Sequence, residues 1–385
     1  MANVSSSNGI EQRPKLRFPG FADDYYESTL GEIFEYERPD NYIVSSEKYS
    51  DNYSIPVLTA NQAFILGYTN ETTGVYRKGP VILFDDFTCD MKYADFPFKV
   101  KSSAMKLLTT KDEMPLFYGY NLLQHINYKP GGHARHWISI MQPISVSVPG
   151  LDEQKKVSAF LELVNQKIEK QQEIISLLKK YKRGVINKLI NELVQSSPQY
   201  SFGQLVCIQR GGSPRPIDDY ITSDESGINW IKIGDVTPDS LYLSQTKERI
   251  KPAGARKSRK VLPGDLILSN SMSFGRPYIM QIEGCIHDGW LLIRDESEVF
   301  NKKFLCYYLA SDIVMAQYRR FAAGSCVSNL NSDLVGSLQI ALPPMPDQEK
   351  SAAIFEQIDS RVVNAAKEYE FLCKLKQGLL QQLFI

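Results

Sequence analysis

The sequence is poor in the residues that usually do chemistry. Its 385 positions hold only four histidines and six cysteines. Cys89, Cys207, Cys285, Cys306, Cys326 and Cys373 are scattered and never form a C-x-x-C pair. That spacing excludes the usual zinc-site patterns and reads as buried thiols of a reducing cytoplasm. There is no G-x-x-x-x-G-K-[S/T] loop and no G-x-G-x-x-G cradle, so neither common phosphate-binding signature is present. No apolar run reaches the roughly 18 residues of a membrane span. The N-terminal MANVSSSNGIEQRPK lacks an apolar core segment, so no secretory signal is expected either. Net charge is lacking too, since 44 basic residues balance 44 acidic ones. A nucleic-acid site would therefore have to be a local patch on a neutral body.

What the chain does have is a repeat. Val148–Ile190 matches Leu342–Phe384 without a gap at an offset of 194. The identical pairs include Pro149/Pro343, Gln154/Gln348, Leu178/Leu372, Lys182/Lys376 and Gly184/Gly378. Each copy carries an apolar seam stepping 4, 3, 4, 3. In the first it passes through Val157, Leu161, Val164, Ile168, Gln171, Ile175, Leu178 and Lys182. In the second it passes through Ser351, Phe355, Ile358, Val362, Ala365, Tyr369, Leu372 and Lys376. A sustained spacing of 3.5 predicts a coiled-coil rod, and the polar members are of the kind that fix register. About 38 residues at 1.5 Å each would make a rod of roughly 55–60 Å. Two matched rods predict mutual pairing.

Each rod follows a globular block. The boundaries read as a first head over 1–147, a rod over 148–191, a second head over 192–341 and a rod over 342–385. In the first head, strand-like runs cover Ser54–Leu58, Ala63–Tyr68, Val81–Phe84, Phe96–Val100 and Ile138–Met141, and helical signal is confined mostly to Leu116–Ile126. In the second they cover Gln204–Ile208, Asn229–Ile233, Asp265–Ser269, Tyr278–Ile282 and Gly289–Ile293, with a helix over Lys303–Phe321. Turn residues separate the runs, and Gln195–Pro198 reads as a linker after the first rod. Gly79–Phe84 and Gly264–Ser269 share a glycine-led hydrophobic strand. The fold class is α+β: two heads joined by two long helices forming an antiparallel coiled coil with a pseudo-two-fold internal repeat. In that arrangement Ile385 ends beside the start of the first head near Pro14.

Candidate binding residues are cationic. Lys247–Lys260 holds Lys247, Arg249, Lys251, Arg256, Lys257, Arg259 and Lys260 against one acid, Glu248, with Pro252 and Gly254 predicting a loop. Such a cluster can neutralise phosphates, and arginine can fork onto guanine; its plain alternative is a solvated loop. Arg210-Gly-Gly-Ser-Pro-Arg215 sets backbone N–H groups between two guanidiniums, and Asn270–Arg276 adds Ser273 and Arg276; either is otherwise an ordinary turn. In the first head the candidates are Lys129, His133, Arg135 and His136, with Arg77 and Lys78 a weaker pair. His133 and His136 are spaced like metal ligands, but the preceding glycines argue for a loop and no acidic or cysteine partner is near. Asp85-Asp86 with Asp90 reads as a solvated loop rather than a nuclease centre.

The order head–rod–head–rod resembles the specificity subunit of type I restriction–modification systems. The resemblance is carried by Leu16–Gly20, Leu30–Ile33, Arg210–Pro216, Asn229–Asp235, Gly264–Ser269, Leu342-Pro-Pro with Gln348–Lys350, and Lys376–Gly378. It covers the chain from Pro14 onward, although the first head lacks the Arg-Gly-Gly-Ser-Pro and Trp-Ile sequences of the second. The resemblance implies a non-catalytic subunit with two target recognition domains. Each would read one half of a split site in double-stranded DNA. The rods would act as a spacer docking two DNA methyltransferase subunits, with restriction/translocase subunits joining them. S-adenosylmethionine, ATP and Mg²⁺ would then sit on those partners. Two rival classes remain: a coiled-coil scaffold binding only protein, and a stand-alone nuclease or methyltransferase.

Overall fold

The computed structural model describes residues 13–60, 63–132, 134–237, 240–270, 275–323 and 330–385. The chain divides into two compact units, Met1–Gln172 with Lys367–Ile385, and Glu173–Ala366. Each unit therefore holds one head and a segment of each rod.

The rods are the helices Leu151–Ser196 and Met345–Leu383, of 46 and 39 residues. The first is longer than expected because it runs through Gln195 and Ser196, which the sequence alone assigns to a linker. Pro198 stops it, since the residue before a proline is pushed out of helical geometry. Between Glu162 and Gly184 only Val164, Asn165, Ile168, Gln171, Ile175, Leu178 and Lys182 are withdrawn from solvent. Apart from Asn165 these are the seam positions. In the second helix Ser351, Phe355, Ile358, Val362, Ala365 and Leu372 are buried. Pairing is antiparallel. In the first unit Val157 and Leu161 share a cluster with Leu380, Leu383 and Phe384, and Lys376 Nζ donates to Asn165 Oδ1 at 3.1 Å. In the second, Ile186 and Ile190 cluster with Ala352 and Phe355, and Lys182 pairs with Asp359.

The heads are built on one plan. In each, the strand entering the head pairs antiparallel with the strand leaving it: Tyr26–Thr29 with Ser145–Val148, and Gln199–Ser201 with Gln339–Ala341. A glutamine on the first turn of each rod then ties down the exit. Gln154 Nε2 donates to Pro149 O at 2.7 Å and Gln348 Nε2 to Pro343 O at 2.9 Å. The main sheet of the first head runs Phe34–Glu37, Met105–Thr110, Val81–Asp85, Met91–Ala94. That of the second runs Cys207–Arg210, Trp290–Arg294, Leu266–Ser269, Pro277–Met280, then a short edge strand Tyr242–Leu243. The glycine-led strand is in both cases interior and fully buried. Gly79 and Gly264 turn into it at φ +109° and +89°, where a side chain would be strained.

A second sheet also recurs. Ile65–Thr69, Ile55–Leu58 and Lys99–Val100 in the first head correspond to Glu248–Ile250, Ile228–Ile231 and Gly284–Ile286 in the second. In each trio the first pair is antiparallel and the last parallel. The second head adds an edge strand on either side, Ile221–Thr222 and Arg259–Val261.

Three local expectations are corrected. Ile138–Met141 is not a strand. Trp137–Met141 is a wide helical turn in which Met141 N–H reaches His136 O and Gln142 N–H reaches Trp137 O, both at 2.9 Å. The buried carboxylate of Asp86 caps it, accepting from the N–H groups of His136 and Trp137 at 3.1 and 2.8 Å. Asp85 likewise accepts from Phe87 and Thr88, both at 2.9 Å, so neither aspartate belongs to a solvated loop. The predicted helix Lys303–Phe321 is two helices, Lys302–Leu309 and Asp312–Ala323, parted at Ala310-Ser311.

Leu161 is fully buried in the seam, whereas Leu178 is only partly so. Leu161→Asp should therefore cost about 3–5 kcal/mol as an unpaired buried charge, and Leu178→Asp less. Denaturant unfolding followed by circular dichroism reads both, and equal, negligible losses would mean the seam is not dry.

Candidate nucleic-acid interface

The basic stretch of the second head is not one loop. It forms the strand Glu248–Ile250, a short helical turn Pro252–Ala255 and the edge strand Arg259–Val261. The strands form because their backbones pair with neighbours, Glu248–Ile250 with Ile228–Trp230 and Arg259–Val261 with Gly284–Ile286. Some of the cations are consumed internally. Arg249 donates to the backbone oxygens of Glu225 and Gly227, and Lys251 Nζ to Asp219 O at 2.8 Å. Lys257 Nζ donates to Tyr220 Oη at 2.6 Å and lies 5.0 Å over the same ring. Lys260 pairs with Glu283 at 2.6 Å, but both side chains are exposed, so the pair holds little energy. Arg256, Lys257, Arg259 and Lys260 keep their charged ends at the surface.

The Arg210–Pro216 loop comes to meet this turn. Gly211 N–H donates to Trp290 O at 2.9 Å and Gly212 N–H to Ile286 O at 3.1 Å. A Cβ on Gly211 would collide with His287 O, and one on Gly212 would lie 3.3 Å from Lys257 O. The glycine pair is thus what lets the loop lie against both segments. Arg259 Nε reaches Arg210 O at 3.4 Å, which joins the two cationic segments on one face. Arg210, Arg215, Arg256, Lys257, Arg259 and Lys260 are all exposed there.

One half-buried anchor organises this loop. Asp288 accepts from Ser213 Oγ at 2.8 Å and pairs with Arg215 at 3.3 Å. The Ser213 hydrogen bond, with help from His287 and Arg215, holds its carboxyl below the usual range against the opposing effect of burial. Burial in turn lowers the pKa of His287, whose Nε2 accepts from Ile233 N–H at 3.2 Å. Beside them Pro214, Pro216, Ile217 and Trp230, with Lys232 and His287, wall a hollow of about 520 Å³. Sequence reasoning misses Lys232, His287 and Asp288 as site residues. The available signal is the Asn229–Asp235 sequence, which carries a resemblance but no side-chain role.

The first head presents a sparser surface. Lys129 and Arg135 are exposed, Arg135 stacks 6.0 Å over Phe87, and Lys129 lines a cavity with Thr88 and Asp90. Arg77 is exposed, and Lys78 forms a surface pair with Glu37 at 2.8 Å. His136 does not fit the expectation of a surface donor. It is 2% exposed, and its Nδ1 lies 3.1 Å from Asp86 O. Arg276 is exposed at the rim of a separate cavity. His133 and Ser273 lie outside the described residues. Among the described residues there is no group of three or more His, Cys, Asp or Glu placed to hold a metal ion, and no helix is long and apolar enough to cross a membrane.

Comparison with known proteins bears on this arrangement. The family described as Type I restriction modification DNA specificity domain matches residues 22–179. The specificity subunit of the type I restriction enzymes EcoR124I and EcoR124II of Escherichia coli is 30% identical over 366 residues, 86% of each chain. The MjaVIII specificity subunit of Methanocaldococcus jannaschii is 24% identical, covering 74% of this chain and 73% of its own. Among solved structures, the S subunit of a type I restriction–modification system from M. genitalium overlays with a TM-score of 0.58 at 14% identity, covering 97% of this chain and 99% of that one. A chain from a structure concerned with assembly and conformational transition of the type I restriction–modification system gives the same TM-score at 17% identity, covering 96% and 99%. With the duplicated head and rod, the length and identity of the Escherichia coli match are decisive: the chain belongs to the specificity subunits of type I restriction–modification enzymes.

Proposed function

We propose that the chain is the non-catalytic DNA-recognition subunit of a type I restriction–modification enzyme, reading a target in two separated halves. The observation that carries the split target is the repeat itself. Two heads share interior strand order but differ in edge strands, loops and exposed cations, so they offer unlike surfaces to DNA. Half-sites read by paired domains commonly lie about one helical turn, roughly 34 Å, apart. Sequencing of methylated bases in cells carrying the complete system should return two short words around an unread spacer. A single continuous word would overturn the reading.

The cationic face of the second head supports a phosphate-binding role. Changing Arg256, Lys257, Arg259 and Lys260 together to alanine should weaken DNA binding by the assembled enzyme. The slope of log affinity against log salt should flatten by about 0.9 for each phosphate that is no longer neutralised. Folding should be unaffected, because all four side chains are exposed. An unchanged slope would assign the cluster to solvation alone.

Partner docking follows from a second recurrence. Leu177 and Tyr181 are 57% and 58% exposed in the first rod, and Phe371 and Leu375, their counterparts at offset 194, are 62% and 42% exposed in the second. Large apolar residues kept at the surface in both copies fit a partner that binds twice. The partners are DNA methyltransferase subunits, two per chain, with restriction/translocase subunits completing the assembly in the cytoplasm. S-adenosylmethionine, ATP and Mg²⁺ belong to those subunits. Aspartate at Leu177 and Tyr181 together, or at Phe371 and Leu375 together, should each leave one methyltransferase subunit bound by native mass spectrometry. All four changes should leave none. Two subunits retained by the quadruple variant would exclude these faces.

A further inference from the structure

The two rods meet the two heads at repeat-equivalent cavities with different chemistry. In the first unit a cavity of about 580 Å³ is lined from the second rod by Cys373, Lys376, Gln377, Leu380 and Gln381. In the second unit a cavity of about 290 Å³ is lined from the first rod by Lys179, Lys182, Arg183, Ile186 and Asn187. These five positions correspond one for one at offset 194. The lysine at the centre is the same in both copies of the repeat, and in each unit it lies over a tyrosine ring. Lys376 sits 5.9 Å from the ring of Tyr120, and Lys182 sits 5.6 Å from that of Tyr307.

The partner of that lysine differs. In the second unit Lys182 pairs with the carboxylate of Asp359, which also accepts from Tyr307 Oη at 2.5 Å. The position equivalent to Asp359 is Asn165, and its Oδ1 is the only side-chain oxygen bonded to Lys376 among the described residues. Asn165 in turn donates to Glu169 at 2.9 Å, and Glu169 acts on Lys376 only from beyond ion-pair distance. Burial lowers the pKa of Lys376, and burial also pushes Tyr120 up to about 12, which keeps its hydroxyl protonated. Arg183 on the wall of the second cavity grips Asp312 through bonds of 2.9–3.2 Å, with Asn187 at 2.6 Å from the same carboxylate. Counting on from the tyrosines, Asp312 corresponds to His125, and Arg183 and Asn187 correspond to Gln377 and Gln381. The first unit therefore has the larger cavity, a partly buried ammonium with no ion-pair partner among the described residues, and amide groups where its twin has a salt bridge. Lys129 adds a second cation to its wall against one carboxylate, Asp90.

We propose that the first cavity receives an acidic side chain of the docking subunit, which supplies to Lys376 the carboxylate that Asp359 supplies to Lys182. The inference rests on the docking reading above and makes the two docking positions inequivalent. The occupant is assigned to a protein partner because the exposed Phe371 and Leu375 lie within two turns of Lys376 on the same helix. A segment covering them and reaching about a third of the way round the helix would bring a carboxylate to Lys376.

The test uses the full chain with Leu177 and Tyr181 changed to aspartate, so that only the first-unit position remains, and purified methyltransferase subunit as the probe. Asn165→Asp provides the carboxylate internally and should lower affinity at least about ten-fold, with thermal stability equal or higher. Lys376→Met should lower affinity similarly, and Asp359→Asn should not. Unchanged affinity in both Asn165→Asp and Lys376→Met would overturn the inference while leaving docking intact. Absence of binding by the parent would instead remove the docking reading. Stabilisation of the isolated chain by acetate or succinate at matched ionic strength, abolished by Lys376→Met, would assign the cavity to a free carboxylate and overturn the partner-borne source.

Discussion

The register of the rods depends on placing two lysines in a seam whose other members are mostly apolar. Lys182 and Lys376 each have one acceptor across the interface, Asp359 and Asn165. A slip of one heptad would set Lys182 opposite Ala352 or Ala366 and so lose its ion pair, while Lys376 would meet Ser158 or Gln172. Losing that pair would leave a partly buried charge uncompensated, which opposes the slip. The four positions are themselves two repeat-equivalent pairs, so a single choice of register satisfies both. Once register is fixed, the first turn of each rod is fixed against the end of the other. Leu16 N–H bonds to Gln382 O at 2.9 Å, and Phe384 packs on Tyr118. The C-terminal end of the second rod thus lies beside the start of the first head.

The heads show how a duplicated fold can diverge without losing its core. Interior strands are constrained on both faces, and the glycine-led strand keeps its position between the same two neighbours in each copy. Edge strands lack that constraint on one side. The second head has added Ile221–Thr222 and Arg259–Val261 at the edges of its smaller sheet, and the latter carries two of the cations that face solvent. In the smaller sheets the added strands lie at the edges, where an extra strand disturbs the core least.

Legibility of the sequence follows the range of the interactions involved. The rods are readable because a 3.5-residue seam is a local pattern. The helix Leu116–Ile126 and the strand Val81–Asp85 are readable from propensity and flanking glycine or proline. The turn at Trp137–Met141 is not, because its cap is Asp86, some fifty residues away. His136 belongs to the same failure: a histidine after two glycines reads as exposed until that carboxylate buries it. The basic stretch reads as a loop because its two strands are only three residues long, are parted by Pro252 and Gly254, and show no clean alternation. The site itself is half legible. The arginines and lysines are visible as composition, whereas the approach of Gly211 and Gly212 to Ile286 and Trp290, which joins them, is a tertiary fact.

A neutral chain that binds a polyanion must concentrate its positive charge locally. Several cations are occupied by internal partners, such as Arg249 on backbone oxygens and Arg183 on Asp312. Others have no carboxylate at salt-bridge distance among the described residues. Arg256 on the second head and Lys376 in the first junction cavity are of this kind, one exposed and one partly buried. An exposed cation without a partner costs little to keep, because water solvates it. A partly buried one is not so easily kept, and its persistence beside a twin that has its own aspartate calls for a countercharge from outside the chain. Exposure thus separates the two roles: surface cations suited to the screened charge of phosphates, and a recessed cation suited to one shaped, desolvated partner.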